Sequence, residues 1–148
     1  MRRHHHANKG FWHRHGLGIT ASAVLVLWLA LYLQANPNTH WGSFFGNAIA
    51  DWTGTVVTIY ATKFLVEIGS SESRRPNPKV LRGPLLWAYK HSLTLFLLVT
   101  GVGWVVWFAH SNPQGKWGQV IGNIVSEWTQ ILGLVVMTKR LLEVRSKE

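Results

Sequence analysis

Two carboxylates stand inside long, mainly apolar stretches of this sequence. Asp51 lies in "NAIADWT" and Glu127 lies in "NIVSEWT", 76 residues further along the chain. A carboxylate in apolar surroundings is costly to ionise, so it usually faces a protein interior or water. Two such acids that face each other can share a proton or bind a cation. Alternatively, neighbouring hydrogen-bond donors hold each acid, which is then buried and has a structural role in packing. The sequence leaves both interpretations open.

Each acid belongs to a set of polar residues at helical spacing. Around Asp51 the polar residues recur every three to four positions, and around Glu127 the pattern recurs with an apolar interruption at Leu134. The predicted intramembrane polar site comprises Asn47, Asp51, Thr55, Thr58, Thr62, Asn123, Glu127, Gln130 and Thr138. The chain has no cysteine, and no pattern indicates a catalytic arrangement. We therefore predict no catalytic residues, no metal site and no enzyme activity.

His15 and His91 are the other candidate ligands, again 76 residues apart. Two imidazoles on a helical bundle can bind a haem iron from opposite sides, which makes a haem- or pigment-binding site a possible interpretation. Both histidines stand at the edge of an apolar stretch, which favours an interfacial role instead. The cofactor is left unidentified, with bound lipid as a further possibility.

The spacing of 76 residues extends far beyond these pairs. It aligns residues 15–70 with 91–146 without a gap, and 17 of the 56 positions are identical. The shared phrase is N-P-x3-W-G-x3-G-N-x3-[DE]-W-T, which indicates a duplicated two-helix hairpin. Four tryptophans at or near this phrase are predicted to be membrane-interface anchors. They are Trp41, Trp52, Trp117 and Trp128.

Composition indicates the class of protein that carries this repeat. Hydrophobic residues make up 47% of the 148 residues and charged residues only 14%, against about 25% charged in an average soluble domain. Residues 16–35 and 91–109 contain no formal charge, and 44–68 and 119–144 are mainly apolar. We predict an all-α polytopic membrane protein with four transmembrane helices. They would form two parallel-repeat hairpins in a pseudo-twofold four-helix bundle.

Charge distribution predicts the topology. The net charge is +9, and of the 15 Lys and Arg residues only Lys116 falls in the two loops near 36–43 and 110–118. The positive-inside rule then places both termini in the cytoplasm. Topology and attraction to anionic lipid explain the basic charge, so we expect no nucleic-acid partner.

The predicted organisation has four segments. Residues 1–14 form a basic, His-rich cytoplasmic arm, 15–70 the first hairpin, 71–90 a cytoplasmic linker and 91–146 the second hairpin. Lys63 and Glu67 are four residues apart near the end of the first hairpin. This spacing predicts a surface ion pair.

Three phrases of the first hairpin resemble a family of small bacterial integral membrane proteins of unknown function. They are "HGLGI" at His15, "NAIADW" before Thr53 and "GSSESR" at Gly69. The family is built from a duplicated two-helix hairpin. Asp51-Trp52-Thr53 replaces the family's Asn-Trp-Gln, and the second copy lacks the closing Gly-Ser-x-Glu-Ser. The resemblance implies a bacterial inner-membrane protein and brings no activity with it.

Together these features predict a structural or accessory subunit, or an interaction module, of a membrane complex. Its expected partners are membrane lipids and either other membrane-protein subunits or further copies of itself. The alternative is a proton- or cation-conducting channel or transporter that uses Asp51 and Glu127. A second alternative is a haem- or pigment-binding bundle that uses His15 and His91.

Overall fold

Long α-helices account for most of the chain. The computed structural model describes residues 4–72, 82–139 and 141, and these residues form five helices. In chain order the helices are α1 (His4–Gln34), α2 (His40–Phe64), α3 (Pro84–Lys90), α4 (Ser92–His110) and α5 (Lys116–Met137). α1 begins within the segment predicted to be an arm, and α3 lies within the segment predicted to be a linker.

The two Asn-Pro phrases end α1 and α4 and turn the chain into α2 and α5. In the first turn the backbone N–H of Asn38 donates to the side-chain oxygen of Asn36 at 3.0 Å. In the second turn Gln114 donates to Asn112 at the same distance. A side-chain oxygen that accepts from the backbone two residues ahead stabilises a tight turn, which explains the asparagine before each proline.

A glycine follows each of these turns because the turn backbone packs directly on the next helix. A Cβ atom at Gly42 would overlap the carbonyl oxygen of Asn36, and a Cβ at Gly118 would overlap that of Asn112. Only glycine permits so close an approach of two backbone segments. The spacing N-P-x3-W-G is therefore a packing requirement of the turn.

The four long helices pack in an open row. α1 contacts α2, α2 contacts α5, and α5 contacts α4, whereas α1 and α4 make no comparable contact among the described residues. α2 and α5 therefore occupy the middle of the row. The buried core runs through it and includes Tyr32, Ile49, Ala50, Leu93, Leu97, Val120, Ile124 and Trp128.

The prediction of four membrane-spanning helices is wrong. Within the described residues, three helices are long and apolar enough to cross a membrane: His15–Gln34 within α1, Ser92–His110 and Lys116–Met137. α2 has sufficient length, but Asn47, Asp51, Lys63 and its four threonines lower its mean hydropathy. It is an amphipathic helix packed between α1 and α5.

The predicted bundle of two paired hairpins is also wrong. The row is open where a bundle would be closed, and the described residues include a fifth helix, α3. The aligned halves also make different contacts. The Tyr32 hydroxyl donates to the Lys116 carbonyl, but Phe108, which aligns with Tyr32, has no hydroxyl. A twofold bundle would need both halves to make the same contacts.

Candidate functional site: the polar face of α2 and α5

Polar side chains of α2 and α5 meet on one side of the row. Asn47 and Asp51 of α2 and Asn123, Ser126 and Glu127 of α5 line one open pocket of about 270 Å³. We call this surface the polar face. The Asn123 side-chain amide donates to the Asn47 side-chain oxygen at 2.5 Å and joins the two helices directly.

The two acids of the polar face are close to each other. Asp51 is exposed and Glu127 is half-buried, and both acids line the same pocket. Gly54 makes room for this arrangement, because a Cβ there would lie 3.2 Å from a carboxylate oxygen of Glu127. Two carboxyl groups can share a hydrogen bond only when one of them carries a proton. Two acids in one pocket offer this chemistry between α2 and α5.

The other five residues of the predicted polar site lie outside this pocket. Thr55 donates to the backbone carbonyl of Asp51 at 3.0 Å, and Thr62 donates to that of Thr58 at 2.6 Å. Gln130 is exposed on α5. Thr138 is buried and lies 3.0 Å from Ser70, between their hydroxyl oxygens.

Thr58 and Thr62 line a separate small cavity of about 50 Å³. Leu134 and Val135 of α5 are among the other residues that line it. The structure thus groups four of the nine predicted residues, Asn47, Asp51, Asn123 and Glu127, and places the others elsewhere. The predicted polar residues therefore do not form one continuous surface along α2 and α5.

The four predicted anchor tryptophans occupy different environments. Trp41 is 70% exposed and Trp117 is 44% exposed, and Trp52 is half-buried. Trp128 is 4% exposed, and its indole N–H donates to the Thr100 hydroxyl at 2.9 Å. Trp128 is thus a core residue that connects α5 to α4.

His15 and His91 have different partners. Nδ1 of His15 lies 2.9 Å from Nζ of Lys63. Nδ1 of His91 lies 2.6 Å from a carboxylate oxygen of Glu67, and its ring packs against that of Trp87. Each histidine thus contacts its own neighbours, and no contact between the two is found in the part of the chain that the structure describes.

Glu67 lies in an environment that its sequence context does not predict. Its side chain is fully buried, so the predicted surface position of this acid is wrong. One carboxylate oxygen binds both His91 and Lys139, and the other accepts from the backbone N–H of Thr94 at 3.2 Å. An acid near the start of a helix also interacts favourably with the helix dipole. Glu67 therefore holds together the end of α2, the start of α4 and the end of α5.

The surroundings of Glu67 change its acidity. Burial alone would raise the pKa of the Glu67 carboxyl. Hydrogen bonds from Lys139, Thr94 and His91 favour the ionised form more strongly, and together they lower this pKa below its ordinary value. No sequence motif marks this group, because its members come from three separate elements.

No metal centre emerges from the described residues, since they contain no group of three or more His, Asp or Glu side chains suited to hold an ion. Comparison with protein-family models, characterised proteins and solved structures found no match to this chain. The resemblance to a family of small bacterial membrane proteins stays a prediction.

Proposed function

We propose that this protein is a membrane-embedded structural or interaction subunit that assembles with other membrane proteins through its polar face. One observation carries the proposal: Asn47, Asp51 and Ser126 are open to the surroundings on helices packed among apolar spans. Lipid chains offer no hydrogen bonds, so a polar surface between membrane-spanning helices is stable only against water or protein. A partner helix that covers the face would satisfy these groups.

The polar face can supply several hydrogen bonds to such a helix. Amides donate and accept, the Ser126 hydroxyl does both, and the acids accept or donate according to their protonation. Hydrogen bonds between helices in a membrane stabilise association by about 0.6–2 kcal/mol each. A second copy of this chain and a different subunit are the two candidate partners.

Site-directed cross-linking tests this proposal, because the chain has no native cysteine. A photoactivatable cross-linker is attached to Ser126→Cys in native membranes, with Val105→Cys as the matched control. Val105 is 51% exposed on the apolar helix α4. We expect protein adducts from position 126 and lipid adducts from position 105, and mass spectrometry then distinguishes self-association from a second subunit. Lipid adducts alone from position 126 would show that the face is uncovered.

The proposed location is the bacterial inner membrane, with the basic end of the molecule in the cytoplasm. Contacts between His15 and Lys63 and between Glu67 and Lys139 bring the start of the α1 apolar segment and the ends of α2 and α5 together. Positive charge favours the cytoplasmic side. In intact cells an impermeant maleimide should label Gln114→Cys and leave Ser71→Cys unlabelled until the membrane is opened. The reverse pattern would invert the orientation.

Proton transfer across the α2–α5 contact is a second candidate function. It is favoured by the position of Asp51 and Glu127, which line one pocket between the two helices, since neighbouring carboxyl groups can share a proton. Purified protein in liposomes should then move protons down an imposed gradient. The double variant Asp51→Asn/Glu127→Gln should abolish the flux, and Ser126→Ala, which changes the same pocket without removing an acid, should keep it. Liposomes without flux across pH would exclude this function.

A further inference from the structure

α3 is much shorter than the other helices of the described chain, and it exposes apolar side chains outside the segments that could span a membrane. It has seven residues, from Pro84 to Lys90, and lies outside the three segments that are apolar and long enough to cross a membrane. Leu85 is 67% exposed and Trp87 is 58% exposed. Apolar side chains at such a position need an apolar or interfacial environment.

Basic residues flank these apolar side chains. Arg82 is exposed immediately before the Gly83 turn, and Lys90 is half-buried at the end of α3. By sequence, residues 73–90 include five basic residues and no acid. A helix with aromatic and aliphatic side chains beside Lys and Arg is typical of segments that lie in the interface of an anionic membrane.

The structure holds α3 in a defined position at the end of α4. His91 separates the two helices, and its φ of −118° and ψ of 20° depart from helical geometry, so α3 is not a continuation of α4. The backbone carbonyl of Lys90 accepts from Ile68 at 2.9 Å. Glu67 binds the His91 ring. The segment after α2 thus fixes the junction from which α3 leaves α4.

We propose that α3 is a docking site for anionic phospholipid at the membrane surface. Leu85 inserts at the level of the headgroups, and Arg82 and Lys90 bind the lipid phosphates. Charge complementarity selects this partner: the segment is uniformly basic, and phosphatidylglycerol is the kind of lipid that presents negative charge beside acyl chains. An indole at the interface adds to the binding.

Quenching by brominated lipids tests the proposal on the full chain in nanodiscs. Bimane is attached to Leu85→Cys, and either the phosphatidylglycerol or the phosphatidylcholine of a mixed bilayer is brominated at equal mole fraction. We expect quenching by both lipids, stronger by at least about twofold for brominated phosphatidylglycerol. Arg82→Gln with Lys90→Gln should bring the ratio to about one, and Arg82→Lys should keep it raised, because Lys retains the charge that binds phosphate.

Two further single-cysteine variants, each labelled with bimane, serve as matched controls. Bimane at Val102→Cys, on the exposed side of α4, should be quenched equally by both lipids. Bimane at Ser71→Cys, exposed near the basic end, should be quenched by neither. If position 85 behaves like position 71, α3 does not dock on lipid; if it behaves like position 102, the anionic preference is wrong. Neither result depends on whether the polar face binds a partner.

Discussion

Glu67 is the residue on which the basic end of the molecule depends most. Its buried carboxylate binds His91 of the α3–α4 junction and Lys139 beyond α5. Glu67→Gln keeps the shape of the side chain but removes its charge. We expect it to destabilise the protein by about 1–3 kcal/mol, because Lys139 loses its charged partner. The free energy of unfolding in detergent measures this, with Glu72→Gln, at a half-buried acid five residues further on, as the control. Equal effects of the two changes would refute the role given to Glu67.

The lowered pKa of Glu67 also predicts how stability depends on pH. Because the folded state ionises this carboxyl more readily than the unfolded chain does, its contribution is fully present above the ordinary value of 4.5. As the pH falls below 4.5 toward the folded pKa, the contribution is lost. Thermal unfolding followed by circular dichroism should show this decline between about pH 6 and pH 3, the range in which carboxyl groups titrate. Glu67→Gln should show a smaller decline, and parallel curves would contradict the prediction.

At the scale of elements, the turn that joins two helices depends on a single glycine. Gly42→Ala and Gly118→Ala each force a methyl group into the backbone of the preceding Asn-Pro turn. We expect each to cost about 1–3 kcal/mol, since two backbone segments must move apart. Gly103→Ala in α4 is the matched control, because a Cβ there meets nothing within 4 Å. It should be neutral or stabilise by up to about 1 kcal/mol. Similar unfolding free energies for all three variants would be inconsistent with this account.

The sequence predicts some elements well and others poorly, for physical reasons. Charge-free apolar runs predict the spanning segments of α1 and α4, and the Asn-Pro phrases predict the turns. α2 is misjudged as a span because its Gly and Ala contact faces resemble apolar sequence, while Asp51 and its threonines make it too polar. α3 is missed because a seven-residue helix has too few residues to show a period.

The same reasoning explains what could be predicted of the site. Asn47 with Asn123, and Asp51 with Glu127, stand at equivalent places in the aligned halves, and the structure brings all four into one pocket. Glu67 could not be assigned, because the 76-residue spacing relates Glu67, His91 and Lys139 each to its own copy and not to one another, and the three lie on different elements. Long-range ion pairs depend on how helices pack, which a single sequence does not contain.

At the scale of the whole molecule, the central contact is between α2 and α5. It joins the helices on either side, since α1 packs on α2 and α4 packs on α5. Besides Asn47 and Asn123, hydrogen bonds at both ends of the row cross between the same two parts of the chain. Tyr32 and Lys116 contribute at one end, and residues 66–70 contribute at the other. Separation of α2 from α5 should therefore open the row while each helix remains intact.

Gly54→Leu tests this expectation, because Gly54 packs directly against α5. A Cβ there would lie 3.2 Å from both Glu127 and Ile131, so a leucine must push the helices apart, at a cost of about 1–3 kcal/mol. A short bis-maleimide should cross-link Asn47→Cys to Asn123→Cys, whose native side chains are hydrogen-bonded. We expect Gly54→Leu to reduce the cross-linking severalfold without loss of helicity. Gly103→Leu, which adds the same side chain in open space, should leave it unchanged. Undiminished cross-linking in Gly54→Leu would mean that the row is held by the contacts at its two ends and not by the fit between its central helices.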